Sequence, residues 1–308
     1  MRFELIAIDW GTSHARAYWL DAHGEVKHET SAPLGVLNVP AGGFAAALAA
    51  LLAAGPDDRA PMLACGMIGS RQGWIDAPYC ECPADAEALA SALTVVPGTR
   101  LAIVPGLICR DPDAIPDVMR GEETQILGAL EDGASSSPVQ VLVLPGTHSK
   151  WAIVREARIE TFATFMTGEL YAVLREHSIL GRMATTGDDP AAAEAGIRRS
   201  LATNADLTHD LFSARTLAVC GELAPGAVGD YLSGLLLGAE LAAGRRWFQR
   251  QRALGESVLL IGDAGLCERY RRAFAIAGLE ATIGPPHAAA RGLWRLARRA
   301  RIVGRGSP

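Results

Sequence analysis

The chain has 308 residues, a length that exceeds what one hydrophobic core usually supports and that predicts two domains. With 49% hydrophobic and 20% charged residues, the composition excludes intrinsic disorder and a fibrous repeat. The formal net charge of −5 at pH 7 argues against a dedicated nucleic-acid surface, because such a surface requires an excess of basic residues.

The first part of the chain predicts a strand meander with intervening helices. Alternating or continuous apolar patterns indicate strands over 3–9, 15–20, 26–30, 62–67 and 101–105. Segments of helical composition cover 42–54 and 85–93. Strands and helices interleaved in this way are typical of an α/β protein.

A second unit is predicted to begin near Pro116, which divides the chain into domains 1–117 and 118–308. We expect helices over 118–130, 168–176, 231–250, 266–277 and 288–300, and strands over 139–144, 151–154 and 258–261. A strand followed by a Gly-Thr turn occurs in both units, at Gly11-Thr12 and at Gly146-Thr147. This repetition suggests an internal duplication.

Cysteines and apolar runs bear on the location of the protein. Six cysteines are scattered without a CxxC pair, and no secretory hydrophobic region follows Met1. The longest apolar runs, 44–54 and 232–243, are shorter than the roughly 20 residues that span a bilayer. We therefore expect a cytoplasmic protein with free thiols, no membrane segment and no nucleic-acid partner.

The first candidate site is the strand end at Asp9 and the turn that follows it, Gly11, Thr12 and Ser13. An acidic residue in this position can hold a hydrated divalent cation, while backbone N–H groups and hydroxyls contact phosphate oxygens. An ordinary hairpin whose Asp caps the turn would explain the same residues.

Two further turns have residues suited to phosphate or nucleoside binding. The second Gly-Thr turn continues through Gly146, Thr147, His148 and Lys150, and the third follows a predicted buried strand and contains Gly262, Asp263 and Gly265. Small residues there let the backbone approach a phosphate or a flat ring, although a complete GxGxxG is absent. Lys150 is one of only two lysines, and an exposed lysine on an amphipathic hairpin is the alternative interpretation.

In this order, the three turns resemble the phosphate 1, phosphate 2 and adenosine segments of the sugar kinase, actin and heat-shock chaperone superfamily. The resemblance implies two ribonuclease-H-like α/β domains with a nucleotide cleft between them, and ATP and Mg²⁺ as the cofactors, with Asp9 near the metal. The segment beginning Gly121-Glu122 is similar to the Gly-Asp-Gln helix start that supplies the catalytic carboxylate in carbohydrate kinases. Glu122 stands in the place of that aspartate, so the base stays open among Glu122, Glu123 and Asp9.

Four longer strings are more specific than any single turn. These are CGMIGSRQGWIDAPY at 65–79, PDVMRGEETQ at 116–125, LPGTHSKW at 144–151 and FMTGELYAVLREHSIL at 165–180. They resemble 2-dehydro-3-deoxygalactonokinases over roughly residues 5–295. The resemblance implies ATP-dependent phosphorylation of the C6 hydroxyl of 2-dehydro-3-deoxy-D-galactonate in galactonate breakdown. A kinase of another keto- or aldonic sugar acid, or a non-catalytic ATP-binding switch of the superfamily, is the alternative, and a homodimer is possible.

A sugar-acid substrate requires a forked cation for its carboxylate and neutral donors for its hydroxyls. The loop bracketed by Gly69 and Gly73 supplies these types in Ser70, Arg71, Gln72 and Trp74. Arg120, immediately before Gly121, is a second candidate for the carboxylate. A surface turn with a solvated arginine is the alternative for the loop, and a helix N-terminal surface residue is the alternative for Arg120.

Overall fold

The computed structural model describes residues 2–39, 43–56, 59–110, 114–130, 139–203, 206–253 and 257–304. The chain divides into two compact units. The first comprises Met1–Pro138, Val154–Phe162 and Pro285–Pro308, and the second comprises Val139–Ile153 and Ala163–Gly284. Each unit contains most of one large sheet.

Strands and helices alternate along most of the described chain. The strands are β1 (Leu5–Trp10), β2 (Ala15–Leu20), β3 (Val26–Ala32), β4 (Met62–Gly66), β5 (Tyr79–Glu81), β6 (Thr94–Val95), β7 (Leu101–Ile103), β8 (Gly106–Arg110), β9 (Pro116–Met119), β10 (Val139–Leu144), β11 (Ser149–Arg155), β12 (Arg158–Phe165), β13 (Ser257–Leu260) and β14 (Glu280–Ile283). The helices are α1 (Gly43–Ala53), α2 (Ala86–Ser91), α3 (Glu122–Ala129), α4 (Thr167–His177), α5 (Pro190–Ala202), α6 (Leu207–Val219), α7 (Val228–Arg250), α8 (Ala264–Ile276) and α9 (Ala288–Arg299).

The two large sheets share one strand order. The sheet of the first unit runs β3-β2-β1-β4-β7-β6, with β1 antiparallel to β2 and parallel to β4. The other sheet runs β12-β11-β10-β13-β14, with β13 parallel to both β10 and β14. When the strands of each sheet are counted in chain order, the first strand lies between the second and the fourth. The third strand lies at one edge. This common order supports the internal duplication suggested by the two Gly-Thr turns.

A small sheet, β5-β8-β9, leads directly into α3. Helix α3 packs against α9, and the two backbones approach so closely that a Cβ atom on Gly128 would lie 1.8 Å from the Ala288 carbonyl oxygen. The same crowding applies to Gly292, whose added Cβ would lie 1.9 Å from the Thr124 carbonyl oxygen. Because this packing holds α3 in the first unit, the compact units do not divide at the predicted boundary of 117/118.

One predicted helix begins in the wrong place. The pattern over 118–130 predicted a single helix, but Val118 and Met119 belong to β9, where Met119 pairs with Leu107, and α3 begins at Glu122. Gly121 separates the two elements with a φ of 112°, a backbone conformation that a helix cannot continue through. Six strands and two helices do not follow from the sequence patterns: β5, β6, β8, β9, β12, β14, α5 and α6.

The remaining predicted strands and helices are present, with ends that differ by a few residues; residue 42 of the first predicted helix lies outside the described residues. Trp10 and Trp19 anchor the apolar core of the first unit, and Trp151, Phe248 and Phe274 that of the second. All six cysteines are thiols outside any disulfide. Within the described ranges, no helix combines the length and apolar character needed to cross a bilayer.

Candidate active site

Asp9 lies at the carboxyl-terminal end of β1, beside two groups on neighbouring strands. Arg16 on β2 has a guanidinium nitrogen 3.9 Å from Asp9 Oδ2, and the Cys65 thiol on β4 lies 4.0 Å from Asp9 Oδ1. Removal from water raises the pKa of Asp9, the charge of Arg16 opposes this, and the nearby charge of Glu122 adds to it. A carboxylate with so little compensating charge is suited to a cation.

The turn after Asp9 is fixed through its carbonyl groups. Gly11 N–H donates to the His14 carbonyl at 2.9 Å, which closes the turn. The backbone N–H groups of 35–37 donate to the Ser13, Gly11 and Thr12 carbonyls at 3.1 Å. The side chains of Thr12 and Ser13 are exposed. The turn therefore presents its hydroxyls to solvent from a rigid backbone.

The two glutamates at the start of α3 differ in environment. Glu122 is half-buried, and its carboxylate accepts from the Arg120 N–H at 3.1 Å. Glu123 is fully buried and accepts from the Gly121 N–H at 2.6 Å and the Thr124 hydroxyl at 2.8 Å. Burial, together with the charge of Glu122, raises the pKa of Glu123 to about 7. Of the two, only Glu122 is open to a ligand.

Arg120 is a buried cation with unused hydrogen-bonding capacity. Its side chain donates from Nη2 to the Ala77 carbonyl at 2.7 Å, and its guanidinium lies 4.3 Å from the centroid of the Tyr79 ring. Nε and Nη1 of Arg120 and the Ser70 hydroxyl are buried with no hydrogen-bond partner among the described residues. A Cβ on Gly69 would lie 3.0 Å from Nη1, so the guanidinium lies against the loop that contains Ser70. Buried polar groups left unpaired are costly, and an anionic ligand would satisfy them.

The other members of the predicted substrate loop lie differently. The Arg71 side chain is 93% exposed and is 3.7 Å from the exposed Asp76 carboxylate. Gln72 is exposed, whereas Trp74 is half-buried and stacks on Phe44 with ring centroids 6.1 Å apart. Exposed ion pairs contribute little energy. The geometry therefore favours Arg120 over Arg71 as the carboxylate-binding residue.

The second unit contains a cavity of about 430 Å³ where the other two predicted turns meet. Gly146 and Thr147 follow β10 and Asp263 follows β13, and these two strands are parallel neighbours. Gly262 has a φ of 143°, a conformation that favours glycine, and an added Cβ would lie at an ordinary contact distance of 3.5 Å from the Pro145 carbonyl oxygen. The rest of the lining comprises Pro145, Thr167, Gly168, Tyr171, Ser233, Leu236, Leu237, Leu266, Arg269 and Tyr270.

Helix α4 is docked onto the loop at Gly146-Thr147, a contact that the sequence analysis missed. The Glu169 N–H donates to the Thr147 carbonyl at 3.0 Å, and the His148 ring hydrogen-bonds the Glu169 carboxylate. A Cβ on Gly168 would lie 2.5 Å from the Gly146 carbonyl oxygen. The glycine within FMTGEL was the available signal, because close backbone approach requires a residue without a side chain.

The remaining predicted nucleotide-binding residues occupy structural positions. Asp263 caps α8 by accepting from the Leu266 N–H at 3.0 Å, and Gly265 lies in the first turn of that helix. Lys150 is buried on β11 and donates to the Thr164 hydroxyl at 2.7 Å. Its predicted contact with phosphate stays a prediction.

The fit of a magnesium ion was judged from the donor set. In the part of the chain that the structure describes, no three or more His, Cys, Asp or Glu side chains are grouped so as to hold a metal ion. Mg²⁺ usually keeps several waters and takes one or two carboxylates together with substrate phosphates. Asp9, within electrostatic range of Glu122, fits this pattern.

Known proteins similar to this chain agree on one family. The 2-dehydro-3-deoxygalactonokinase of Escherichia coli (strain K12) is 37% identical over 283 residues, covering 92% of this chain and 93% of that protein. A Sinorhizobium meliloti protein to which the same activity is assigned has a crystal structure that matches with a TM-score of 0.83 and 36% identity, over 96% of this chain and 98% of the other.

A more distant solved structure bears on the fold alone. The activator of the 2-hydroxyisocaproyl-CoA dehydratase from Clostridium difficile, with bound ADPNP, has a TM-score of 0.53 at 9% identity and covers 96% of each chain. The predicted α/β class with two ribonuclease-H-like domains is confirmed. The sequence model of the 2-keto-3-deoxy-galactonokinase family matches residues 9–296, and the chain belongs to that family.

Proposed function

We propose that this protein transfers a phosphoryl group from ATP to the C6 hydroxyl of 2-dehydro-3-deoxy-D-galactonate, as a step of galactonate breakdown. The observation that carries the proposal is the family match over residues 9–296. The site residues of the two units supply the roles that such a transfer requires, as argued below. A cytoplasmic location and a homodimer are further parts of this proposal.

The cavity of the second unit is the proposed site for ATP. Its volume of about 430 Å³ falls in the usual range for small-molecule pockets, roughly 300–1,000 Å³. Gly146 lies on its wall, and an added Cβ there would meet no atom within 4 Å, so a phosphate group has room to approach the backbone. Asp263 and Leu266, at the start of α8, would face the nucleoside.

The carboxylate of the sugar acid is proposed to bind Arg120. The unpartnered Nε and Nη1 lie on different edges of the guanidinium, and a carboxylate oxygen would accept a charge-assisted hydrogen bond from either. The Ser70 hydroxyl would donate to the same group or to a neighbouring hydroxyl of the sugar acid. Gln72, Trp74 and Arg71 remain proposed contacts at the rim of this subsite.

The chemical step depends mainly on charge and position. Asp9 is proposed to hold Mg²⁺ through water, and the ion would neutralise charge on the phosphates when bound. Glu122 would orient the acceptor hydroxyl and accept its proton. Glu123 is proposed to stay buried against Gly121 and Thr124, where it fixes the start of α3 and thus the direction of Glu122.

The direct test is a screen of ADP release with the full-length protein, Mg·ATP and a set of 2-keto-3-deoxy sugar acids and aldonic acids. We expect the galactonate derivative to be the best substrate and phosphorus NMR to place the phosphate on C6. Preference for another acid would support a kinase of different specificity, and ATP binding without phosphorylation of any acid would support a switch.

A pair of variants tests the carboxylate subsite. Arg120→Lys keeps the charge but loses the fork, so KM for the sugar acid should rise by about tenfold or more while KM for ATP changes little. Arg71→Lys is the matched control and should leave both KM values within about twofold, as its side chain is solvated. A raised KM for the sugar acid in Arg71→Lys but not in Arg120→Lys would assign the carboxylate to Arg71.

A further inference from the structure

Glu240 is a buried carboxylate that the proposed chemistry does not use. It lies in the second half of α7 with only 3% of its surface exposed. Oε1 accepts from the Trp151 indole N–H at 2.8 Å and Oε2 accepts from the Tyr270 hydroxyl at 2.8 Å. The hydroxyls of Thr167 and Ser149 also hydrogen-bond this carboxylate. An acidic group this deep is costly, and here neutral donors are what stabilise it.

The donors belong to the segments that form the nucleotide cavity. Thr167 is the first residue of α4 and lines the cavity, and Tyr270 on α8 lines it as well. Ser149 begins β11, two residues after Thr147, and its hydroxyl lies 2.8 Å from that of Tyr270. One carboxylate is therefore hydrogen-bonded to α4, to α8 and to the strand that follows the Gly146-Thr147 loop.

Glu240 itself lies behind the cavity wall. Helix α7 contributes Ser233, Leu236 and Leu237 to the lining, and Glu240 follows about one turn later. One turn further along, α7 packs so closely on Trp151 that a Cβ on Gly244 would lie 2.3 Å from its ring. The carboxylate thus acts on the cavity through other residues.

We propose that Glu240 is a positioning residue for the nucleotide cavity, holding Thr167 and Tyr270 in the orientation that receives ATP. This inference rests on the proposed function, since it takes the cavity of the second unit as the ATP site. Losing the acceptor leaves at least one buried donor unpaired, and the wall segments that carry the donors shift. The sugar-acid subsite lies on the first unit and shares none of these hydrogen bonds.

The test compares Glu240→Gln with a buried carboxylate elsewhere in the second unit. Asp210 is fully buried, is paired with Arg199 at 2.9 Å and does not line the cavity. Glu240→Gln should raise KM for ATP by about tenfold with KM for the sugar acid unchanged. Asp210→Asn should lower the melting temperature and leave both KM values within about twofold. Equal rises in both KM values, or the same rise in KM for ATP in both variants, would overturn the proposal.

A binding measurement separates this inference from the proposed function. Titration calorimetry with a non-hydrolysable ATP analogue, without sugar acid, is performed on the wild type and both variants. If the wild type does not bind, the proposed function fails. If the wild type binds and Glu240→Gln binds equally well, the proposed function stands and the positioning role is wrong.

Tyr270→Phe removes one hydroxyl and keeps the ring, so it covers the case in which Glu240→Gln does not fold. It should weaken binding of the analogue in the same direction. In the folded double variant, the two losses of affinity should be less than additive, because both substitutions remove the same hydrogen bond between Tyr270 and Glu240. An unchanged affinity in Tyr270→Phe, or full additivity in the double variant, would contradict the proposal.

Discussion

The two large sheets have the same strand order but different residues at their first turn. When Gly11 is aligned with Gly146, Asp9 corresponds to Leu144 and Arg16 to Trp151. In the first unit this position holds a half-buried ion pair, whereas Leu144 is 3% exposed and Trp151 is fully buried. The same strand arrangement therefore carries charged side chains in the first unit and buried apolar side chains in the second.

A second correspondence lies after the fourth strand of each sheet. β4 ends at Gly66 with a φ of 93°, and β13 is followed by Gly262 with a φ of 143°. From there the first unit continues to the loop of Ser70 and the second continues to Asp263 and α8. Ligands of parallel sheets bind beyond the carboxyl ends of the strands, at such positions. With the roles proposed above, the sugar acid and the metal would bind to the first unit and the nucleoside to the second.

The sharpest way to test this division is Glu122→Gln in the first unit. General-base assistance contributes about 10² to 10⁴-fold, so kcat should fall by that order while affinity for ATP is kept. Glu123→Gln is the neighbouring control, and its kcat should stay within about tenfold because that side chain is buried. Steady-state kinetics with thermal melts checks both. A dead Glu123→Gln with an active Glu122→Gln would shift the assignment by one residue.

Asp9→Asn comes next in expected effect. It keeps the shape of the side chain and removes the charge proposed to hold Mg²⁺, so kcat should fall by about 10² or more with little change in melting temperature. The Mg²⁺ concentration that gives half of the maximal rate should rise. A kcat near that of the wild type at saturating Mg²⁺ would mean that Asp9 does not hold the metal. The difference between Asp9 and Leu144 would then have no functional meaning.

The sequence predicted the parts of this comparison that depend on local pattern. Apolar periodicity placed β1, β10 and β13, and their glycine turns pointed to the ligand-binding ends of the sheets. The separation of Glu122 from Glu123 could not be predicted, since both stand in one helical pattern and tertiary packing decides which of them is buried. Arg120 was ambiguous for the same reason, and β9 was missed because Val118 and Met119 also fit the apolar period of the helix that follows.

The two glycine turns offer a matched pair of variants. An added Cβ would meet nothing within 4 Å at Gly146 and only the His14 carbonyl at 3.4 Å at Gly11, so both alanine variants should fold normally. If both turns contact phosphate, each should raise KM for ATP by several-fold to about tenfold, because the new methyl group takes ligand volume. Gly226→Ala, with no atom nearer than 3.8 Å and outside the cavity, is the control. An effect at Gly146 alone would restrict ATP binding to the second unit.

The smallest expected effect concerns the buried Glu123. Its pKa of about 7 in the folded protein lies above the ordinary value of 4.5, chiefly because burial disfavours the charged form. Between these two pH values the folded state binds more protons than the unfolded state, so this group lowers the free energy of unfolding as pH rises. The contribution is fully present below pH 4.5 and is lost by a pH somewhat above 7.

Urea unfolding of the wild type and Glu123→Gln across pH 4.5 to 8 isolates this contribution, since every other titrating group is common to both proteins. The wild type should lose stability relative to the variant by at most roughly 3 kcal/mol over that interval. The hydrogen bonds from Gly121 and Thr124 favour the charged form and keep the pKa of Glu123 from rising further. If the difference in unfolding free energy between the two proteins does not change with pH, Glu123 keeps an ordinary pKa. Glu123 would then be as open to water as Glu122. In that case burial would no longer distinguish the two glutamates, and kinetics alone would have to identify the base.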